Sequence, residues 1–201
     1  MKQMSPNGVN GFSIVEIVVA IAIMAVLGAI VVPSVGSYLD RKRVEDSAAT
    51  LDSLRVAIGR FRTATADYPG RLSHLTKRIT TSDRTACNTA ANTIVNYVAG
   101  SQTGWDNNGP FWDRSIPRTG IPLSIGTVLD SMHRTSTSVL PGAMVMTIPG
   151  VFIGEARELN LLEDGPLDAN QADGSNTTGT VQFTSSTSST VTYFIPVANS
   201  C

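Results

Sequence analysis

The apolar residues are concentrated near the N-terminus. From Phe12 to Val35 the chain runs for 24 residues with one ionisable side chain, Glu16. Ile17 to Val32 holds only Ile, Val, Ala, Met, Leu and one Gly. As a helix, Phe12–Val35 would span about 36 Å, enough to cross a bilayer. A different pattern follows. Val44, Ala48, Leu51, Leu54, Ile58 and Phe61 recur at steps of three and four, which places them on one stripe of a helix. Arg41, Arg43, Glu45, Asp46, Asp52, Arg55 and Arg60 lie mostly off that stripe. Pro33 should kink or loosen the helix, since it donates no backbone hydrogen bond and crowds the preceding turn. The breaker cluster Asp67-Tyr68-Pro69-Gly70 ends it. A helix with an apolar stripe must lay it on something, and an adjoining sheet is the economical partner.

Beyond residue 70 the chain is richer in Gly, Ser, Thr and Pro. Leu72–Ile79 reads as a short helix, and 83–99 as another with Ala86, Ala90, Ile94, Val95 and Val98 inward. Gly104–Gly126 reads as loop, because Pro110, Pro117, Pro122 and several glycines break regular elements. Strands are expected at Ala143–Ile148 and Val151–Ile153, about a Pro149-Gly150 turn. A hairpin is expected from Thr180–Thr184 and Thr190–Val197. Val191, Tyr193 and Ile195 alternate with Thr192, Phe194 and Pro196, so both faces of that strand should be partly covered. The fold class is α+β: a long N-terminal helix packed on a small antiparallel sheet.

Composition narrows the function. Hydrophobic residues at 42% can form a packed core. Fifteen Lys and Arg against 16 Asp and Glu leave a net charge of −1, without the large basic face of a nucleic-acid binder. Two Cys and two His are too few for a disulfide-dense scaffold or a His-rich metal centre.

Glu16 is the anomaly in the apolar run. A carboxylate in hydrocarbon costs roughly 2.5–3.5 kcal/mol and marks a functional suspect. A cut between Gly11 and Phe12 would create an α-amino cation on Phe12. That cation could pair with Glu16 of its own or a neighbouring helix and offset the burial cost. A secretory signal fits less well: the leader Met1–Gly11 has one Lys, and no clear Ala-x-Ala follows the apolar run. Counting Arg41, Lys42 and Arg43 by the positive-inside rule would place the C-terminal side in the cytoplasm.

The run Gly11-Phe12-Ser13-Ile14-Val15-Glu16, with the apolar residues after it, resembles the processing site of type IV pilins and type II secretion pseudopilins. The usual run reads Gly-Phe-Thr-Leu-Ile-Glu, and the replacements Ser13, Ile14 and Val15 keep its size and polarity pattern. The resemblance covers roughly residues 1–70. It implies a pilin-like fold, a prepilin peptidase that cuts after Gly11 and N-methylates Phe12, and assembly through Glu16, with Pro33 where many members carry a helix-loosening Pro. It implies copies of itself, other pilins or pseudopilins and an inner-membrane assembly platform as partners. It also implies a single-pass inner-membrane protein with its head outside the cytoplasm, against the Arg41–Arg43 count. The expected organisation is a leader at 1–11, a transmembrane and assembly helix at 12–35, its amphipathic continuation at 36–68 and a head at 69–201.

In such an exported chain, Cys87 and Cys201 read as one disulfide, worth roughly 4–5 kcal/mol in chain-entropy terms. Pilins often bound a surface loop in this way. Two unpaired thiols are the alternative. The stretch from Glu163 to Gly174 is rich in hard oxygen donors, and Asp164, Asp168, Asn170 and Asp173 are candidate calcium ligands. Their spacing is not that of an EF-hand, and major type II pseudopilins resemble this chain in carrying a late calcium loop. A solvated turn uses the same residues and is the preferred reading.

His74 and His133, with Ser73, Asp130 or Ser131, form no known catalytic motif, and read as surface or helix-end histidines. Trp105, Phe111 and Trp112 could form a partner patch, but read better as anchors for a long loop. Arg41–Arg43, Arg55, Arg60, Arg62 and Arg71 are interleaved with acids, so a solvated face is preferred to DNA binding, and near a membrane they could touch head groups. The resulting expectation is a structural filament subunit without enzymatic activity or a nucleic-acid partner, leaning to a pseudopilin. A pilus subunit for adhesion, motility or DNA uptake is the alternative, and a membrane-anchored enzyme or binding domain the outside one. The lean rests on Tyr68-Pro69 at the helix end and on the acidic late loop.

Overall fold

The computed structural model describes residues 11–65, 68–77, 103–134, 142–166, 175–184 and 187–196. The expected helix at 83–99, Cys87, Cys201, Asp168, Asn170 and Asp173 lie outside them. The chain divides into two units at Asp40/Arg41.

Helix α1 (Ile14–Thr65) runs without interruption through Pro33. In the first unit its apolar side chains are open: Ile14, Val18, Ile21, Met24, Leu27 and Ile30 are all exposed. This part of the helix is strongly apolar, and none of its most apolar stretch is buried inside the structure. By length and composition it can cross a membrane.

In the second unit α1 is amphipathic at the expected positions. Val44, Leu51, Leu54, Ile58 and Phe61 are buried, joined by Ala57, with Ala48 packed against them. Ser47 and Thr65 share the buried stripe. Their hydroxyls donate to the carbonyls of Arg43 at 2.8 Å and Phe61 at 2.7 Å, so neither is buried without a partner.

The remaining elements are a 3₁₀ turn (Leu72–Leu75), α2 (Thr103–Asn108), β1 (Ile121–Pro122), β2 (Thr127–Val128), β3 (His133–Arg134), β4 (Ala143–Phe152), α3 (Ile153–Asp164), β5 (Val181–Phe183) and β6 (Ser188–Pro196). The main sheet has the order β3-β4-β6-β5 with every pair antiparallel, and β1 pairs antiparallel with β2. The pairs Met144↔Ile195, Met146↔Tyr193 and Ile148↔Val191, with Val181 and Phe183 of β5, share one face. They form one core with the α1 stripe and with Ala156 and Leu159 of α3. The expected coverage of both faces is present, since Ala143, Val145 and Phe194 make a second buried cluster.

Several expectations are corrected. Pro149-Gly150 is not a turn between two strands. It lies inside β4, where the register against β6 shifts between Ile148 and Val151. A bulge suits Pro, which cannot donate to a ladder, and Gly150 takes φ 75°. Ile153 ends no strand but begins α3, an element absent from the sequence reading. The expected helix from Leu72 is a 3₁₀ turn as far as Leu75, and Gly104–Gly126 is not all loop, since it overlaps α2. The hairpin of β5 and β6 stands as expected.

Candidate processing and assembly site

Gly11, Phe12 and Ser13 precede α1 and are not helical. Ser13 is its N-cap. The Ser13 carbonyl accepts from the amides of Glu16 at 3.0 Å and Ile17 at 3.2 Å, and its hydroxyl accepts from the Val15 amide at 3.3 Å. Ser13-x-x-Glu16 with apolar Phe12 and Ile17 on either side is a recognisable helix-start signature that sequence reading passed over. Phe12 is 80% exposed, and among the described residues beyond its chain neighbours no atom lies within 4 Å of a Cβ built on Gly11. Glu16 falls in the first turn, where unpaired amides favour an anion. Its side chain is exposed, and among the described residues its carboxylate has no hydrogen bond or ion pair. Pro33 lies within α1, 17 positions beyond Glu16.

The cations after the apolar run are paired. Arg41 Nε lies 3.3 Å from Glu158, and Arg43 lies 3.1 Å from Glu155. Arg43 also donates twice to the Ser124 carbonyl. Lys42 reaches Glu45 and Asp46 on its own helix, and the hydrogen bond with Glu45 holds its ammonium above the usual lysine value. Glu45 and Asp46 belong to the acids interleaved with these cations in the sequence, whereas Glu155 and Glu158 come from α3.

Asp164 ends α3 and is the one described member of the calcium set. Its carboxylate accepts from the amides of Thr180 and Val181, both at 2.8 Å, and from Asn160 at 3.1 Å. A Cβ on Gly179, at φ 79°, would come within 2.6 Å of that carboxylate. Asn160 and Asn176 both donate to the Val181 carbonyl, which completes a polar clamp at the start of β5. The neighbouring Glu163 accepts from the Tyr193 hydroxyl at 2.9 Å. Burial, then the Glu163 charge, pushes the Tyr193 phenol above its ordinary value. Among the described residues no group of three or more His, Cys, Asp and Glu is placed to hold a metal ion.

The aromatic trio anchors a loop, as preferred. Phe111 is buried and meets Phe61 edge-on at 5.3 Å and Trp105 at 6.1 Å between centroids. Trp105 Nε1 donates to the His74 carbonyl, and Trp112 packs against the core. His74 is at the end of the 3₁₀ turn, the helix-end alternative, and is buried there, whereas His133 is exposed on β3, the surface alternative. Asp130 does meet Ser73, but as a structural cap. It accepts from the Ser73 amide at 2.7 Å and hydroxyl at 3.1 Å, with Arg71 at 3.8 Å.

Residues 6–32 match the family model of the prokaryotic N-terminal methylation motif. This is the prepilin-type motif of type IV pilins and pseudopilins. It implies processing by a prepilin peptidase and assembly with other pilins, and together with the apolar helix it is consistent with membrane anchoring. Neither a curated protein nor a solved structure matches the chain.

Proposed function

We propose that this chain, which carries the prepilin-type motif of type IV pilins and pseudopilins, is a structural subunit of a type IV pilus-like filament, and within that class a pseudopilin of a type II secretion-like machine. A peptidase cuts after Gly11 and methylates Phe12. The helix then holds the chain in the inner membrane with the head outside the cytoplasm, until an assembly platform moves it into a filament. The observation that carries this reading is Glu16: an exposed carboxylate in the first turn of an apolar helix, without a partner among the described residues. Transfer from lipid to a bundle of neighbouring helices would bring it a Phe12 amine and relieve its burial cost. The secretion lean is supported by Tyr68-Pro69 after α1 and by the acidic stretch that begins at Glu163.

Glu16→Ala and Glu16→Leu test this reading. Both variants should be cut and inserted like the parent and form no filament. Filament at parental levels from either would overturn it. A gene deletion that stops export of folded proteins would support the secretion machine. A deletion that removes surface filaments, motility or DNA uptake would support a pilus.

A further inference from the structure

We infer that Ser13 is a positioning residue for processing: by capping α1 it keeps the Gly11–Phe12 bond outside the helix, where a peptidase can take it in extended form. This inference rests on the processing reading above and adds a residue to it. Gly11, Phe12 and Ser13 are all non-helical, and the first helical residue is Ile14. Ser13 fixes that boundary with three acceptor bonds, from Val15 to its hydroxyl and from Glu16 and Ile17 to its carbonyl.

The boundary matters because of what lies on each side of it. Downstream, α1 is a run of Ile, Val, Ala, Leu and Met, a strongly apolar segment that a membrane would hold as helix. Upstream, the next residue of capping type is Asn10. A helix capped at Asn10 would take Gly11, Phe12 and residue 13 as its first turn. Its carbonyls would then be committed along the helix axis, whereas peptide-cutting enzymes bind extended chain through free backbone groups. The Ser13 hydroxyl competes for a backbone amide in just this way, which is why Ser favours the cap over the interior. Glu16 at the third helical position strengthens the same start through its charge beside the helix N-terminus.

Ser13→Ala removes the hydroxyl, and Ser13→Thr keeps it. The full-length precursor of each, in detergent, is given purified prepilin peptidase. The initial rate of appearance of chains beginning at Phe12 is read by mass spectrometry, separating kcat from KM. The Cα chemical shifts of Gly11 and Phe12 are read by NMR on the uncut precursors. The Ala variant should be cut about five-fold more slowly, the factor that loss of a typical N-cap represents, with helical shifts at Gly11 and Phe12. The Thr variant should stay within two-fold of the parent, with unchanged shifts. An Ala variant cut at the parental rate overturns the proposal, and so does a Thr variant as slow as Ala. Slow cleavage of Ala with unchanged shifts also overturns it, because the enzyme would then be reading the hydroxyl itself. A parent that is not cut while a control prepilin is cut would refute the processing reading, whereas the shifts report the helix start without the enzyme.

Discussion

Arg43 of α1 lies 3.1 Å from Glu155 of α3, whose side chain is largely enclosed, while the same guanidinium holds the Ser124 carbonyl. With Arg41 and Glu158, this pair fastens α3 to the start of the amphipathic half of α1. The Arg43 side is half exposed and solvent screens the pair, which leaves it worth about 0.2–1 kcal/mol. Glu155→Gln should therefore lower Tm by only about 1–4 °C at low salt, and by less at high salt. A thermal melt at two ionic strengths checks both parts.

Asp164 has a larger task. Replacing it by Ala frees the amides of Thr180 and Val181 and one Asn160 donor, which should cost about 1–3 kcal/mol. The loss belongs to backbone capping, so it should be equal in calcium and in chelator. A denaturant titration in each buffer measures it. A loss confined to calcium buffer would instead assign Asp164 to a metal.

Tyr193 predicts the alkaline limb of stability. Its folded-state phenol is raised above the ordinary value of 10.0, first by burial and then by Glu163. The unfolded chain therefore releases this proton first as pH rises. The contribution is intact below about pH 10 and falls progressively above it. Tyr193→Phe should lose the hydrogen bond, about 0.5–1.5 kcal/mol near neutrality, and show a shallower decline above pH 10. Unfolding curves for both proteins between pH 8 and 11 provide the comparison.

Gly120 is set against β2. Its φ is 108°, and an added Cβ would collide with the Val128 carbonyl oxygen. Gly120→Ala should destabilise the head by roughly 3 kcal/mol or more, through strain and displacement of β2. Reduced yield and an early melt of the variant would be the readout.

The sequence was most legible where one period dominated. The stripe from Val44 to Phe61 and the alternation around Tyr193 each bury a continuous face, so periodicity and packing agree. Legibility failed where one residue type serves two geometries. Pro149-Gly150 suits a turn or a bulge, and only pairing with β6 decides between them. Helix α3 escaped because Ile153 looked like the end of a strand, and Asn160 interrupts its apolar spacing of Ala156 and Leu159. Asn160 is buried there only because Asp164 and Val181 satisfy it. At the candidate site, Gly11, Phe12 and Glu16 stood out by chemistry, because a lone acid in an apolar run is conspicuous. Ser13 did not, since a serine beside an apolar run is ordinary until its hydroxyl is seen on the Val15 amide. The cations at Arg41 and Arg43 were visible, but their partners on α3 lie more than a hundred residues away.

As a filament subunit, this chain would be cut after Gly11 and joined to others through its first helix. The most direct measurement is intact and N-terminal peptide mass spectrometry of the protein from its native membrane. The chain should begin at Phe12 and carry one added methyl group. A chain that still begins at Met1, in cells with an active prepilin peptidase, would contradict it.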